Sequence, residues 1–310
     1  MCDNFSIRAY FFRGWSVICI LFAFLYLVSC QTEGTKADKS KRNPSESQNM
    51  NTTDIQELVQ SVLNKDPSSV LIARKVGQAG NSELRKLTKN NDAKVRRIAL
   101  YCLDETGGSD TVSAFIDALM DKDPQVRGAS LKGLNHHIPD NTYYNALLRA
   151  YDDNPDPYIR QQVILIIGNL NLTNIIQDIK RRYERERDPD AQEGCIVALA
   201  KLNDKDAQTE FVKRLKASSN RIRLRYLEEY CPYINAQWLL KPLLPILDDK
   251  LPLLYVGVDV PGMVQDLRAC DLAINLISSI SKHEFSFEIN RATNYDDKQI
   301  IEVQKYVQSL

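Results

Sequence analysis

The chain carries no net formal charge, with 40 Lys and Arg against 40 Asp and Glu over 310 residues. No bulk field therefore draws it to nucleic acid or to acidic lipid. No CxxC pair occurs: Cys2, Cys19 and Cys30 crowd the N-terminus, and Cys102, Cys195, Cys231 and Cys270 are far apart. That spacing argues against a metal knuckle and gives no small disulfide framework. Histidine is scarce, limited to His136, His137 and His283. A Gly-rich phosphate loop, GxSxG and HExxH are all missing, so phosphate-cradling, serine-hydrolase and zincin chemistry have no sequence support. Nor does any apolar run reach the roughly 20 residues of a membrane-spanning helix.

What is present begins with Arg8 and Arg13, followed by an uncharged run from Trp15 to Ser29. This is the basic-then-apolar order of an export signal. The run ends in Leu27-Val28-Ser29-Cys30. Beyond it, QTEGTKADKSKRNPSESQNMN is polar and without apolar periodicity. Such a stretch cannot bury enough surface to offset its chain entropy, and reads as a tether.

The remainder is periodic. DAKVRRIALYCL (92–103), DPQVRGASLKGL (123–134), DPYIRQQVILII (156–167), DPDAQEGCIVAL (188–199) and SNRIRLRYLEEY (219–230) align with Arg96, Arg127, Arg160, Gln192 and Arg223 in one column. The spacings are 31, 33, 32 and 31 residues, with a shorter amphipathic helix between blocks. A period near 32 with two helices per unit predicts a solenoid. Asp92, Asp123, Asp156 and Asp188 are expected N-caps, with Pro124, Pro157 and Pro189 at the first helical position. The arginines are expected to reach the capping aspartate of a neighbouring unit, as a ladder interrupted at Gln192 and Ser219. Leu100, Leu131, Ile164 and Ile196, with Leu103, Leu134, Ile167 and Leu199, form the apolar stripe. The period breaks after Tyr230.

Two resemblances follow from these motifs. Leu27 to Cys30 resembles the lipobox of bacterial lipoproteins, against the plainer reading of an ordinary signal peptide. It implies cleavage before Cys30, which becomes residue one, and thioether-linked diacylglycerol modification of its thiol, with palmitate among the attached acyl groups. The D-P-x-V-R and A-L-x-x-L pattern is similar to HEAT repeats of the short bacterial kind also found in phycobilin lyases. The match is good over 82–230, with 53–81 as a degenerate first unit. Arg268, Asp271, Leu272 and Ala273 resemble a run that often ends such proteins. The expected architecture is all-α: a right-handed α-solenoid of about six HEAT-like helix pairs. Residues 1–29 are the signal peptide, 30–52 the lipidated cysteine and tether, and 53–310 the solenoid, irregular over 231–310.

Catalytic signals are weak. His136 and His137 precede Ile138-Pro139 and are expected at a helix C-terminus. On a regular helix they point about 100° apart, so they cannot share one metal. HEAT-repeat hydroxylases of the deoxyhypusine type need several His-Glu pairs, and this chain has only His283-Glu284. Cys102 and Cys195 fall on inner columns, as small core residues. The patches RRYERER (181–187) and RIRLR (221–225) do not make a nucleic-acid site. The expected partner is a protein or peptide, with the membrane engaged through Cys30 and no cofactor. The expected face lies five places past the arginine column, at Tyr101, Lys132, Leu165 and Val197, and two places before it, at Tyr158. The function expected is a membrane-anchored scaffold or assembly factor of the cell envelope. Gln31 rather than aspartate favours the outer membrane, facing the periplasm. The alternative is an enzyme or small-ligand site within 231–290, near Tyr255, Asp259, Asp266, Arg268 and His283.

Overall fold

The computed structural model describes residues 52–310 except Asn171, Thr173, 256–265 and 291–293. The signal peptide, Cys30 and the tether lie outside the described residues. Six helix pairs follow in chain order: α1 (Thr52–Leu63) with α2 (Ser69–Val76), α3 (Asn81–Leu87) with α4 (Ala93–Thr106), and α5 (Thr111–Ala118) with α6 (Pro124–His136). Then come α7 (Tyr144–Asp153) with α8 (Pro157–Gly168), α9 (Ile175–Arg185) with α10 (Pro189–Lys201), and α11 (Lys205–Ala217) with α12 (Asn220–Arg225). Second helices stack on their neighbours, α2 on α4, α4 on α6 and α8 on α10, while α6 and α8 meet over a much shorter stretch. The all-α solenoid is therefore the fold.

The apolar stripe is buried throughout, from Leu100 and Leu103 to Ile196 and Leu199, with Phe115 wedged beneath α6. Small residues allow the approach: a Cβ on Gly133 would lie 2.4 Å from the Phe115 ring. Asp92, Asp123, Asp156 and Asp188 each cap their helix, accepting backbone amides at 2.8–3.2 Å. Ser219 makes no side-chain cap.

The arginine column departs from expectation in one respect. Only Arg127 reaches the neighbouring capping aspartate, Asp156, at 2.6 Å. Arg96 instead grips Asp121 with two nitrogens, at 2.6 and 2.7 Å, and Arg160 grips Glu186 at 2.8 and 2.9 Å. Both acids stand two residues before the cap. The reason is local: the side chain at that position, Asn90, Asp121, Asn154 or Glu186, already folds back to accept the amide of the capping residue. It is thus held inside the turn, facing the arginine of the preceding unit. Where it is Asn154, its amide donates to Leu119 O, and Arg127 passes on to the cap, leaving its buried Nε without a partner. Each guanidinium also donates to the carbonyl that opens its own turn: Arg96 to Asn90, Arg127 to Asp121, Arg160 to Asn154. Gln192 keeps that second bond, to Glu186 O at 2.8 Å, but has no charge to send across. Arg223 pairs with Asp249 beyond the repeats.

Past α12 the chain widens into a π-helical turn (Tyr226–Tyr230) and a short α13 (Cys231–Ile234). Pro232 withholds the N–H that Glu228 O would accept in a regular helix, and Cys231 N–H reaches back to Tyr226 O instead. After α14 (Leu240–Leu243) come two strands the periodicity does not foresee. They are β1 (Pro252–Tyr255) and β2 (Asp266–Arg268), paired antiparallel with Tyr255 opposite Asp266. Helices α15 (Ala269–Ser281) and α16 (Asp297–Gln308) close the chain, α16 through a capping box of Asp296 and Gln299.

Glu186 ties the ladder to pH. Burial alone would raise its carboxyl, but Arg160, Tyr151 and the amides of Arg187 and Asp188 outweigh it and bring it down to about 2. Its contribution is complete at neutral pH and is lost as pH falls from the usual carboxylate range towards that value. Arg160→Ala should destabilise by about 3–5 kcal/mol in denaturant titrations. Glu186→Gln should flatten the acid limb of the wild-type melting profile.

Candidate functional site

The second helices present the same four outward positions, spaced +3, +4 and +4 so that they share one face. These are Lys94, Arg97, Tyr101 and Glu105 on α4, and Gln125, Gly128, Lys132 and His136 on α6. On α8 they are Tyr158, Gln161, Leu165 and Asn169, and on α10 Asp190, Glu193, Val197 and Lys201.

On α4 and α6 the row is open. The Lys132 ammonium lies 5.5 Å above the Tyr101 ring, and Lys94, Glu105, Gln125, Gly128 and His136 are exposed. Both histidines converge on one residue of α4: His136 Nδ1 meets Asp104 Oδ1, and His137 Nε2 meets Asp104 O, each at 2.8 Å. The expected 100° divergence fails because His137 has already left the helix as its C-cap. Arg74 of α2 closes on Glu105 at 2.6 Å. Among the described residues no group of three or more His, Cys, Asp or Glu is placed to hold a metal.

On α8 and α10 the chain itself covers the row at Gln161, Leu165, Glu193 and Val197, while Tyr158 and Asn169 at the two ends of the α8 row stay exposed; this corrects the expectation for Val197. That side chain is 0% exposed, and Leu165 is half-buried. The segment from Arg225 to Tyr233 lies over them. Tyr233 donates its hydroxyl to Leu165 O at 2.7 Å, and Lys201 sits 4.4 Å from the Tyr233 ring while donating to its carbonyl. Gln161 reaches the Tyr230 hydroxyl at 3.0 Å, Arg225 meets Asp190 at 3.3 Å, and Tyr226 donates to Glu193. Burial pushes the phenols of Tyr226, Tyr230 and Tyr233 up, so they stay neutral donors, and pushes Lys201 down. Gly168 makes room: a Cβ there would stand 2.3 Å from Tyr233 Oη.

The residues of the alternative site do not assemble among the described ones. Arg268 is committed to Asp271, at 2.6 and 2.7 Å, and to Tyr295 O at 2.8 Å, locking α15 to the start of α16. His283 stacks on Tyr306 with ring centres 3.9 Å apart. Asp259, and the side chains of Tyr255 and Asp266, lie outside the described residues. A solvent-open depression of about 430 Å³ adjoins Thr88–Asn91 and Asp117, but its wall is the Arg96–Asp121 pair. Burial pushes the thiols of Cys102 and Cys195 up to about 12 and that of Cys270 to about 11, and raises Cys231 as well. None is a ready nucleophile.

The stretch from 81 to 168, helices α3 to α8, matches the family described as HEAT repeats. Over these residues the chain is similar to HEAT repeats. They account for three of its six helix pairs, and the capping aspartates continue the same pattern to α10, where Gln192 stands in the arginine column. No curated protein matches the chain. Among solved structures it is similar to a chain from the complex of CpcE and CpcF of phycocyanin lyase from Nostoc sp. PCC7120, at 16% identity. That likeness covers 88% of this chain and 99% of the other, with a TM-score of 0.46. At this distance nothing of the lyase carries over.

Two outcomes are expected. Gly168→Ala should destabilise by about 1–3 kcal/mol through overpacking, and should lift the Arg225–Tyr233 segment, read as faster amide exchange confined there. Cys102, Cys195, Cys231 and Cys270 should resist iodoacetamide in the native protein and label fully in denaturant, read by peptide mass spectrometry.

Proposed function

We propose that this chain is a membrane-tethered, non-catalytic scaffold or assembly factor of the bacterial cell envelope, holding a protein or peptide partner on its HEAT repeats. The observation that carries the reading is the divided row. The positions by which α8 and α10 seat a segment of the chain, Gln161, Leu165, Asp190, Glu193 and Lys201, have open counterparts on α4 and α6. A stack of helices whose neighbours fix its register offers a long, stiff surface without a deep polar pocket. Neutral, buried thiols and ion-paired acids on the ladder fit binding better than catalysis.

Support for the tether is the order of basic residues, apolar run and Leu27–Cys30, with a polar stretch behind it. A processed lipoprotein carries two or three acyl chains, enough for stable attachment where one would be marginal. The outer membrane, with the repeats facing the periplasm, is the location proposed.

Crosslinking and recovery of the protein at native expression level, beside Cys30→Ala, tests both halves. The wild type should partition with membranes and bring specific protein partners, and Cys30→Ala should lose the membrane fraction. A Cys30→Ala protein that stays on membranes would contradict the tether. A wild type without partners would contradict the scaffold.

A further inference from the structure

The outward row changes sign along the stack, and the occupied half shows how it takes a ligand. On α10 it carries Asp190 and Glu193, and the segment seated there brings Arg225 to the first and the Tyr226 hydroxyl to the second. The covered half is thus matched by complementary charge and by tyrosine hydroxyls. On α4 and α6 the same row carries His136, bonded to Asp104, and Glu105, but also the cations Lys94, Arg97 and Lys132.

These cations are available. Lys94 and Arg97 have no carboxylate partner among the described residues. Lys132 comes no nearer than 3.8 Å to Asp104 and keeps 58% of its side chain exposed. The acids on this face are drawn in and engaged, Asp104 by His136 and His137, and Glu105 by Arg74. Tyr101 lies beneath Lys132, and the row is open at Gly128, where a Cβ would meet nothing within 4 Å. On a chain with no net charge, this is a local segregation of positive groups with an aromatic floor.

We propose that the α4–α6 face docks an aspartate- or glutamate-rich segment of a partner protein, which rests on the scaffold reading above. Carboxylates would meet Lys94, Arg97 and Lys132 as Arg225 meets Asp190, with the sign inverted. A nucleic acid fits less well: its affinity needs many phosphate contacts, and Asp104 and Glu105 interleave the few cations here.

The test is fluorescence anisotropy of a fluorescein-labelled glutamate-rich peptide titrated with the full-length protein in detergent. Wild type should bind, and binding should weaken as NaCl screens the charges. Lys94→Glu with Lys132→Glu should weaken it about tenfold or more. Lys94→Gln with Lys132→Gln should fall between, and Lys216→Glu with Lys241→Glu, off this face, should match wild type. Absence of binding, or equal binding by the two charge-reversed pairs, would overturn the proposal. So would a face that binds oligo-dT or phosphatidylglycerol vesicles in place of the peptide. Native crosslinking separates the two levels: partners retained by the Lys94/Lys132 reversal would leave the scaffold standing and remove the acidic ligand. No partners with wild type would remove the scaffold itself.

Discussion

An arginine placed in a tight inter-helical turn must find an acceptor for nearly every N–H it buries, and that requirement sets the geometry of this stack. Arg96 and Arg160 meet it with a two-pronged grip on an acid of the next unit and a bond to the carbonyl that opens their own turn. The same acid already accepts the amide of the capping residue. One side chain thereby joins the helix start, the turn before it and the preceding pair. Loss of either partner strands a buried charge, so the ladder holds the register of the pairs it joins.

Where the ladder ends, the chain changes course. Gln192 spans only its own turn, and Ser219 offers no side-chain cap. The sixth pair is consequently not pinned like those before it. Its second helix loosens into a π-helical turn at Tyr226–Tyr230, just before Pro232, and crosses the outward face of α8 and α10, placing Tyr230 and Tyr233 against Gln161 and Leu165 O. The outward face is thus divided at the place where the ladder is interrupted.

Much of this was legible in the sequence, because caps, prolines, arginines and stripe recur at fixed offsets and each answers a local demand. The column two places before the cap, Asn90, Asp121, Asn154 and Glu186, recurs as regularly, but a mixed amide and acid column shows no role until its bond to the capping residue's amide is seen. The burial of Val197 leaves no mark on the local period, since what covers it comes from about thirty residues downstream. The convergence of His136 and His137 on Asp104 depended on where α6 stops, and Ile138-Pro139 gave only the neighbourhood of that stop. Two strands escaped because each is too short to show alternation.

What results is a rigid row of helix faces, half satisfied by its own chain and half left to solvent. The central claim is that division, and tyrosine nitration of the native protein with tetranitromethane, mapped by peptide mass spectrometry, addresses it directly. Tyr101 and Tyr158 should react while Tyr226 and Tyr230 remain unmodified until the protein is denatured. Ready nitration of Tyr226 and Tyr230 in the native state, at the rate of Tyr158, would contradict the account.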